Sequence, residues 1–168
     1  LLYSGARPYY GCEGRYENEA ANTPLTVRTQ SYHTILAKAL ANTMYGEAHV
    51  WRATELNTYL DSTGAVQQMY CYDLFRSREW WKLEPDWGGQ VVTSAHGSAA
   101  SRLGVSKTTD NNTIIVYIPT SNTVTVAMTQ ITGTGVVGHW FNPITNSVSA
   151  SIARLNIFFI FFEENPYI

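Results

Sequence analysis

The chain has 168 residues, of which 45% are apolar and 14% are charged. This length accommodates one domain or two small ones, and the apolar content supports a folded core rather than a disordered chain. The net charge of −2 excludes the basic surface that draws proteins to nucleic acid, so no nucleic-acid partner is expected. No apolar run approaches the roughly 20 residues of a membrane helix, so no membrane span is expected.

The potential metal ligands are scattered. Cys12 and Cys71 form neither a CxxC pair nor a zinc-finger spacing, and two free buried thiols are predicted, although a disulfide stays open. The four histidines show no HExxH spacing. The sequence therefore predicts no metal site and no cofactor.

The first half of the chain combines extended and helical patterns. Residues 2–11 predict a strand that leads into a loop, and residues 44–51 predict a second short strand with its exit loop. Apolar residues recur at helical spacing over residues 27–44, with Thr23 or Thr26 as the N-cap and Pro24 in the first turn.

A second helix is predicted over residues 65–80. At helical spacing its buried face would carry Met69, Tyr70, Leu74 and Ser77, with Asp73 beside them. The composition changes near Pro85, after which Thr, Val, Ser, Asn and Gly dominate. We therefore predict a domain boundary there, with residues 1–85 in one unit and residues 86–152 in another.

The second half of the chain predicts short strands. Residues 113–118, 123–128 and 136–141 have strand patterns, and turn residues follow the first and the third. Strands interrupted this often are typical of an antiparallel sandwich.

Residues 153–168 form an atypical apolar tail. The run at residues 157–162 has high β-propensity, no charge and no proline. Exposed, it would favour aggregation, and buried, it would form a final core strand. A third interpretation, favoured weakly here, is that the natural reading frame is lost after Arg154.

Several segments together resemble one family of enzymes. The resemblance rests on motifs in a particular order: Glu13-Gly-Arg-Tyr-Glu17, Thr43-Met-Tyr-Gly46, Glu79-Trp-Trp81 and Trp140-Phe-Asn-Pro143. They resemble the apiosidase-like glycoside hydrolases, family 140 and its relatives. That family has a (β/α)8 barrel followed by a β-sandwich that is sometimes labelled a collagen-binding domain.

The resemblance implies a mixed architecture. It would consist of the end of a partial (β/α) barrel over residues 1–85, followed by a small antiparallel β-sandwich. It also implies a secreted or periplasmic location, although the chain shows no signal peptide, and an oligo- or polysaccharide of plants or bacteria as the partner.

Glu13 is the candidate catalytic residue. Glycosidases generally use two carboxyl groups, and barrel enzymes place such groups where strands end. Glu13 follows the predicted strand at residues 2–11, and by resemblance it is the nucleophile. The alternative is an exposed loop carboxylate, which we weigh about equally.

Four further residues are candidates for substrate binding. Tyr16, Tyr45 and Trp51 are candidates for a platform that stacks on sugar, with core packing as the favoured interpretation of Tyr45. Glu17 lies close to Glu13 and would orient substrate, although an ion pair with Arg28 is its simplest interpretation.

The partner of Glu13 is the main difficulty for an enzyme. Residues 1–85 have room for about two strand–helix units, whereas a complete barrel takes ~250 residues. We therefore expect the chain alone to be inactive, and to associate with itself or with a missing barrel portion. The alternatives are a non-catalytic carbohydrate- or matrix-binding module that uses Trp140 or Tyr117, and a non-functional remnant.

Overall fold

The computed structural model describes residues 8–133 and 135–149, together with the backbone of residues 159–164. In chain order the helices are α1 (Pro24–Leu36), α2 (Ala48–Trp51), α3 (Leu56–Tyr59) and α4 (Thr63–Arg76). The strands are β1 (Leu83–Pro85), β2 (Gly104–Thr108), β3 (Thr113–Tyr117), β4 (Val136–Asn142), β5 (Ser147–Ser149) and β6 (Phe159–Glu164).

Helix α1 starts where its capping residues predict and ends earlier than its apolar pattern predicts. Thr23 is the N-cap, and its N–H donates to the hydroxyl of Thr26 at 3.2 Å. The helix was expected to reach residue 44 but ends at Leu36, because Lys38 has a left-handed φ of 66°. The later apolar residues therefore belong to an extended segment.

Helix α4 confirms the second predicted helix but buries a different face. Its buried side chains are Gln67, Cys71, Leu74 and Phe75, whereas Met69 is 66% exposed. Leu74 is buried and Tyr70 packs against the core as predicted, but Met69 and Ser77 are exposed. Met69 lies two positions after Gln67, and at 100° per residue this places it on the opposite side of the helix. The helix ends at Arg76, and a short 3-10 turn follows at Trp80–Lys82.

Two extended segments flank α1 and run in the same direction. The N–H of Leu40 donates to the carbonyl of Tyr9, the N–H of Met44 donates to the carbonyl of Gly11, and Glu17 forms a parallel bridge with Glu47. The predicted strand at residues 44–51 is corrected to a single bridge residue followed by α2. Residues 2–7 of the other predicted strand lie outside the described residues, and residues 8–11 form no regular strand.

The six strands form one antiparallel sheet in the order β1-β2-β3-β6-β4-β5. Phe161 of β6 pairs through its backbone with Ile115 of β3 on one side and with His139 of β4 on the other. Residues 159–164 of the tail thus form a strand that pairs with β3 on one side and β4 on the other, whereas the burial that the second interpretation expected stays a prediction. The rest of the segment 150–168 lies outside the described residues.

The sheet is covered on both faces. On one face, Ile115 and Tyr117 of β3 pack with residues of α1 and α4, including Tyr32 and Phe75. On the other, Ile114 and Val116 pack with segments outside the strands, including Val91 and Val92. Alternate residues of a strand point to opposite faces, so β3 contributes to both cores.

The predicted strand at residues 123–128 is reduced to a single antiparallel bridge. Val126 pairs with Val92, and the backbone turns into a 3-10 helix at Met128–Gln130. The predicted alternation of buried and exposed side chains is confirmed at its centre, because Val124 and Val126 are half-buried while Thr125 is exposed. Among the described residues the pairing stops at this bridge, since the backbone turns away at Met128.

The architecture is mixed α/β with an antiparallel sheet, as predicted at that level. The barrel end, the sandwich and the boundary near Pro85 stay predictions, and the core formed by Tyr32 and Tyr117 contains residues from both sides of that boundary. In the part of the chain that the structure describes, no helix is long and apolar enough to cross a membrane.

Candidate functional site

A small cleft lies between the loop before Glu17 and the loop that enters α2. Its volume is about 210 Å³. It is lined by Cys12, Glu13, Gly14, Tyr16, Met44, Tyr45, Gly46, Glu47, Val50 and Trp51. The parallel pairing of the two flanking segments positions these loops side by side. The structure therefore brings together four of the five predicted site residues, namely Glu13, Tyr16, Tyr45 and Trp51.

Glu13 lies at the exposed rim of the cleft. The hydroxyl of Tyr16 donates a hydrogen bond to its Oε1 at 3.2 Å. Burial, this hydrogen bond and the negative charge of Glu13 raise the pKa of Tyr16 above its ordinary value. Tyr16 therefore stays a proton-bearing donor that orients the Glu13 carboxylate.

An aromatic pair forms one wall of the cleft. The rings of Tyr16 and Trp51 are stacked, with centroids 5.8 Å apart and planes 14° from parallel. Trp51 is 72% exposed, and the exposed side chain of Met44 lines the same cleft. A Cβ at Gly46 would overlap the ring of Tyr16, so this close approach requires glycine at position 46.

Glu17 lies beneath the cleft rather than in it. It is 3% exposed, and it accepts hydrogen bonds from the hydroxyl of Tyr45 at 2.6 Å, the hydroxyl of Ser62 at 3.2 Å and the N–H of Gly64 at 2.9 Å. The expected ion pair with Arg28 is corrected, because Arg28 donates to Gln67 instead. Glu17 thus connects the cleft to the first turn of α4.

Tyr45 shares this buried network. Burial first, and then its hydrogen bond to Glu17, raise the pKa of Tyr45 well above its ordinary value. Its hydroxyl is occupied by Glu17 and Ser62, so within the described contacts only the ring edge of Tyr45 is left to face the cleft. The favoured interpretation of Tyr45 as a packing residue agrees with this placement.

Glu47 is a site residue that the sequence interpretation missed. It is 3% exposed and lines the floor of the cleft. Its Oε1 accepts from Asn18 Nδ2 and from His49 Nδ1, each at 2.9 Å, and its Oε2 accepts from the N–H of Val50 at 2.8 Å, as the N-cap of α2. The available signal was an acidic residue immediately before a short helix with histidine two positions later.

The hydrogen bonds to Glu47 govern its charge. Burial alone would raise the pKa of the Glu47 carboxyl. The hydrogen bonds from His49, Asn18 and the Val50 amide outweigh burial and lower the pKa to about 2. His49 is itself held by stacking on Tyr59, with ring centroids 4.1 Å apart. Glu47 is therefore an ionised acceptor at neutral pH.

The depressed pKa of Glu47 predicts a dependence of stability on acid. Since its folded-state pKa lies below the ordinary 4.5, its contribution is present above pH 4.5 and is lost as the pH falls toward 2. Urea titrations of Glu47→Gln between these pH values are expected to show a flatter decline than the natural chain. Glu55→Gln, at an exposed position, is the control and should keep the natural slope.

No metal centre accompanies the cleft. Among residues 8–133 and 135–149, no three His, Cys, Asp or Glu side chains are arranged to hold an ion. The two cysteines are free: Cys12 is exposed and Cys71 is buried, which corrects the expectation that both thiols are buried. Burial raises the pKa of Cys71 to about 12, so its thiol is inert at neutral pH.

Two solved structures share this fold. A glycoside hydrolase of family 5 from Bacteroides vulgatus ATCC 8482 superposes with a TM-score of 0.79 at 15% identity, covering 99% of this chain and 44% of that one. A second structure, described as a glycoside hydrolase, superposes with a TM-score of 0.78 at 16% identity, covering 94% of this chain and 42% of that one. The chain thus has a fold found in glycoside hydrolases and spans less than half of their length.

Sequence comparison adds a relationship for the second half. Residues 85–156 match a family described as "Putative collagen-binding domain of a collagenase". This match covers less than half of the chain, so it characterises that segment alone. No curated protein sequence matches the chain.

Proposed function

We propose that this chain is part of a carbohydrate-active enzyme and that the cleft at Glu13 is a sugar-binding subsite of its catalytic centre. The observation that carries the proposal is the placement of Glu13 beside the stacked rings of Tyr16 and Trp51 in one cleft. The fold shared with glycoside hydrolases supports it.

The aromatic wall is suited to the apolar face of a sugar ring. Trp51 leaves most of its indole exposed, and exposed apolar area costs about 25 cal/mol per Å² relative to burial. A pyranose or furanose that covers this ring removes the area from water while its hydroxyl groups stay available for hydrogen bonds. The Tyr16 hydroxyl holds Glu13 next to the position that such a ring would occupy.

Glu13 is proposed as the catalytic carboxylate, and Glu47 does not supply its partner. A glycosidase needs one carboxyl group that is protonated at the working pH so that it can donate to the leaving oxygen. Glu47 lines the same cleft, but its pKa is about 2 and both of its oxygens already accept hydrogen bonds. The general acid must therefore come from outside the described cleft, and the isolated chain binds sugar without hydrolysing it.

The finer assignment is an apiosidase-like glycoside hydrolase that degrades plant or bacterial polysaccharides outside the cytoplasm. The order of the motifs around Glu13, Gly46 and Trp81 supports this assignment. Under it, the parallel segments around α1 belong to the end of a (β/α)8 barrel. Further barrel strands, or a second copy of the chain, would then cover Leu40, Leu60 and Met69, each more than half exposed.

Replacement of Trp51 tests the sugar platform. A glycan array of plant and bacterial oligosaccharides selects a bound glycan, and calorimetric titration with that glycan gives the Kd. Trp51→Ala is expected to weaken binding about tenfold or more, because it removes most of the apolar wall. Trp81→Ala, at a tryptophan outside the cleft that is 63% exposed, is the control. Equal losses in both variants, or no bound glycan on the array, would contradict the proposed platform.

A second candidate function rests on the match over residues 85–156. The segment would then be a non-catalytic module that binds a matrix or carbohydrate ligand, with collagen as the ligand that the family description names. Of the two residues expected to contact ligand, Tyr117 is 0% exposed and packs beneath α1, which corrects that expectation. Trp140 is half-buried against the opposite core. A glycan or collagen signal that survives Trp51→Ala would favour this function.

A further inference from the structure

A second cleft lies where the end of α1 meets the beginning of the sheet. Its volume is about 330 Å³, at the lower end of the roughly 300–1,000 Å³ that small-molecule sites occupy. Its polar and aromatic lining consists of His33, Asp86, Trp87, His96 and Arg102, and Gly104 of β2 also borders it. It shares no lining residue with the cleft at Glu13.

Arg102 gives this cleft a positive charge without a paired carboxylate. Within the described residues, no carboxylate oxygen lies within ion-pair distance of its guanidinium. Asp86 lines the same cleft, but its Oδ1 accepts from the N–H of Gln90 at 2.8 Å and its Oδ2 accepts from those of Val91 and Val92 at 2.9 and 3.0 Å. These three bonds hold the Asp86 carboxylate to its own loop, so it does not swing across to Arg102.

The two histidines are fixed by backbone carbonyls. His33 Nε2 donates to the carbonyl of Arg102 and His96 Nε2 donates to that of Val92, each at 2.8 Å. Burial lowers the pKa of His33, the bond to the carbonyl raises it, and the nearby charge of Arg102 lowers it again. A neutral ring that donates through Nε2 keeps Nδ1 as an acceptor, which suits a ligand hydroxyl.

Trp87 supplies an apolar surface at the mouth of the cleft. It lies two residues after the end of β1 at Pro85, and 46% of its surface is exposed. An unpaired guanidinium, an exposed indole and the imidazole acceptor of His33 together match a ligand that carries an anionic group, an apolar ring face and hydroxyl groups.

We propose that this cleft binds a sugar acid, with Arg102 pairing the carboxylate and Trp87 covering the ring. The site is additional to the sugar subsite at Glu13 and does not depend on it. It would give the protein a separate point of attachment to acidic polysaccharide. A single uronic acid unit has all three features.

The test is a titration of the ¹⁵N-labelled chain with galacturonate, followed by amide shifts and by the indole N–H signals. Saturable shifts are expected at the amides of Trp87, Leu103 and Gly104, with a Kd of about 1 mM, which is ordinary for a single sugar unit. Arg102→Gln is expected to weaken binding about tenfold or more, since charge-assisted pairing is lost. Trp87→Ala should weaken it as well. Arg76→Gln, at an exposed arginine of α4 outside the cleft, is the matched control and should leave binding unchanged.

Galactose, which lacks the carboxylate, and acetate, which lacks the ring, test the Arg102 contact and the Trp87 contact separately. Both are expected to bind at least about tenfold more weakly than galacturonate, because each lacks one of the two main contacts. The proposal is overturned if galactose binds as well as galacturonate, if acetate does so, or if Arg102→Gln binds like the natural chain. Absence of saturable shifts at about 10 mM galacturonate, ten times the expected Kd, would also overturn it. Dispersed amide spectra show that each variant is folded.

Discussion

Glu17→Ala is expected to lower the free energy of unfolding by about 3 kcal/mol. The substitution removes a carboxylate that is 3% exposed and accepts from Tyr45, Ser62 and the N–H of Gly64. A buried donor that loses its acceptor costs about 1–3 kcal/mol of stability. Because the site relaxes partly after the substitution, we expect the total loss for the three donors to stay near about 3 kcal/mol. For a chain of this size the midpoint of thermal unfolding should fall by about 10 °C.

Glu19→Ala is the matched control for this prediction. Glu19 lies two residues away, its side chain is 44% exposed, and it approaches Arg52 at 3.8 Å. Exposed pairs of this kind contribute about 0.2–1 kcal/mol, so its loss should shift the midpoint by only a few degrees. Equal effects of the two substitutions would show that Glu17 does not hold the cleft to α4.

Tyr32→Ala is expected to destabilise the whole chain by about 4 kcal/mol in a single transition. Tyr32 is 0% exposed, and its ring stacks on Tyr117 of β3 with centroids 4.5 Å apart and planes 12° from parallel. It also contacts Phe75 of α4, at 5.8 Å between ring centroids. Removal of a large buried aromatic side chain leaves a cavity that typically costs 3–5 kcal/mol.

This experiment also tests the predicted boundary near Pro85. Circular dichroism of the helices and near-ultraviolet signals of the aromatic core should move together if α1 and the sheet share one core. Tyr72→Ala, on the exposed face of α4, should leave both signals nearly unchanged. Two separate transitions, with only the earlier one moved by Tyr32→Ala, would instead show two units that fold independently.

The sequence predicted local features well where a residue type itself limits the backbone. The start of α1 followed from Thr23 and Pro24, and the strands at residues 113–118 and 136–141 followed from β-branched and aromatic runs. These features depend on neighbouring residues only. The end of α1 at Leu36 was missed because the apolar stripe continues past it, while the left-handed turn at Lys38 carries no glycine to signal it.

Part of the candidate site could also be predicted from the sequence. Glu13, Tyr16 and Trp51 were singled out, and they line one cleft because the parallel pairing of Glu17 with Glu47 aligns their loops. The burial of Glu17 was not predictable from local pattern, and for Glu47 the local pattern indicated only the N-cap of α2 and the neighbouring His49. Both depend on donors 29 or more residues away, Asn18 for Glu47 and Gly64 for Glu17. Contacts at such separation require the fold.

The measurement that tests the central claim most directly is a turnover assay on the chain together with Glu13→Gln. A panel of aryl glycosides that includes an apioside is incubated with each protein, and release of the aryl group is followed at neutral pH. Because Glu47 is ionised and no carboxyl group besides Glu13 and Glu47 lines the described cleft, we predict no release above background from either protein, while the glycan selected on the array still binds. Release by the natural chain that is abolished in Glu13→Gln would contradict the account, because it would show that the chain holds a complete acid–nucleophile pair.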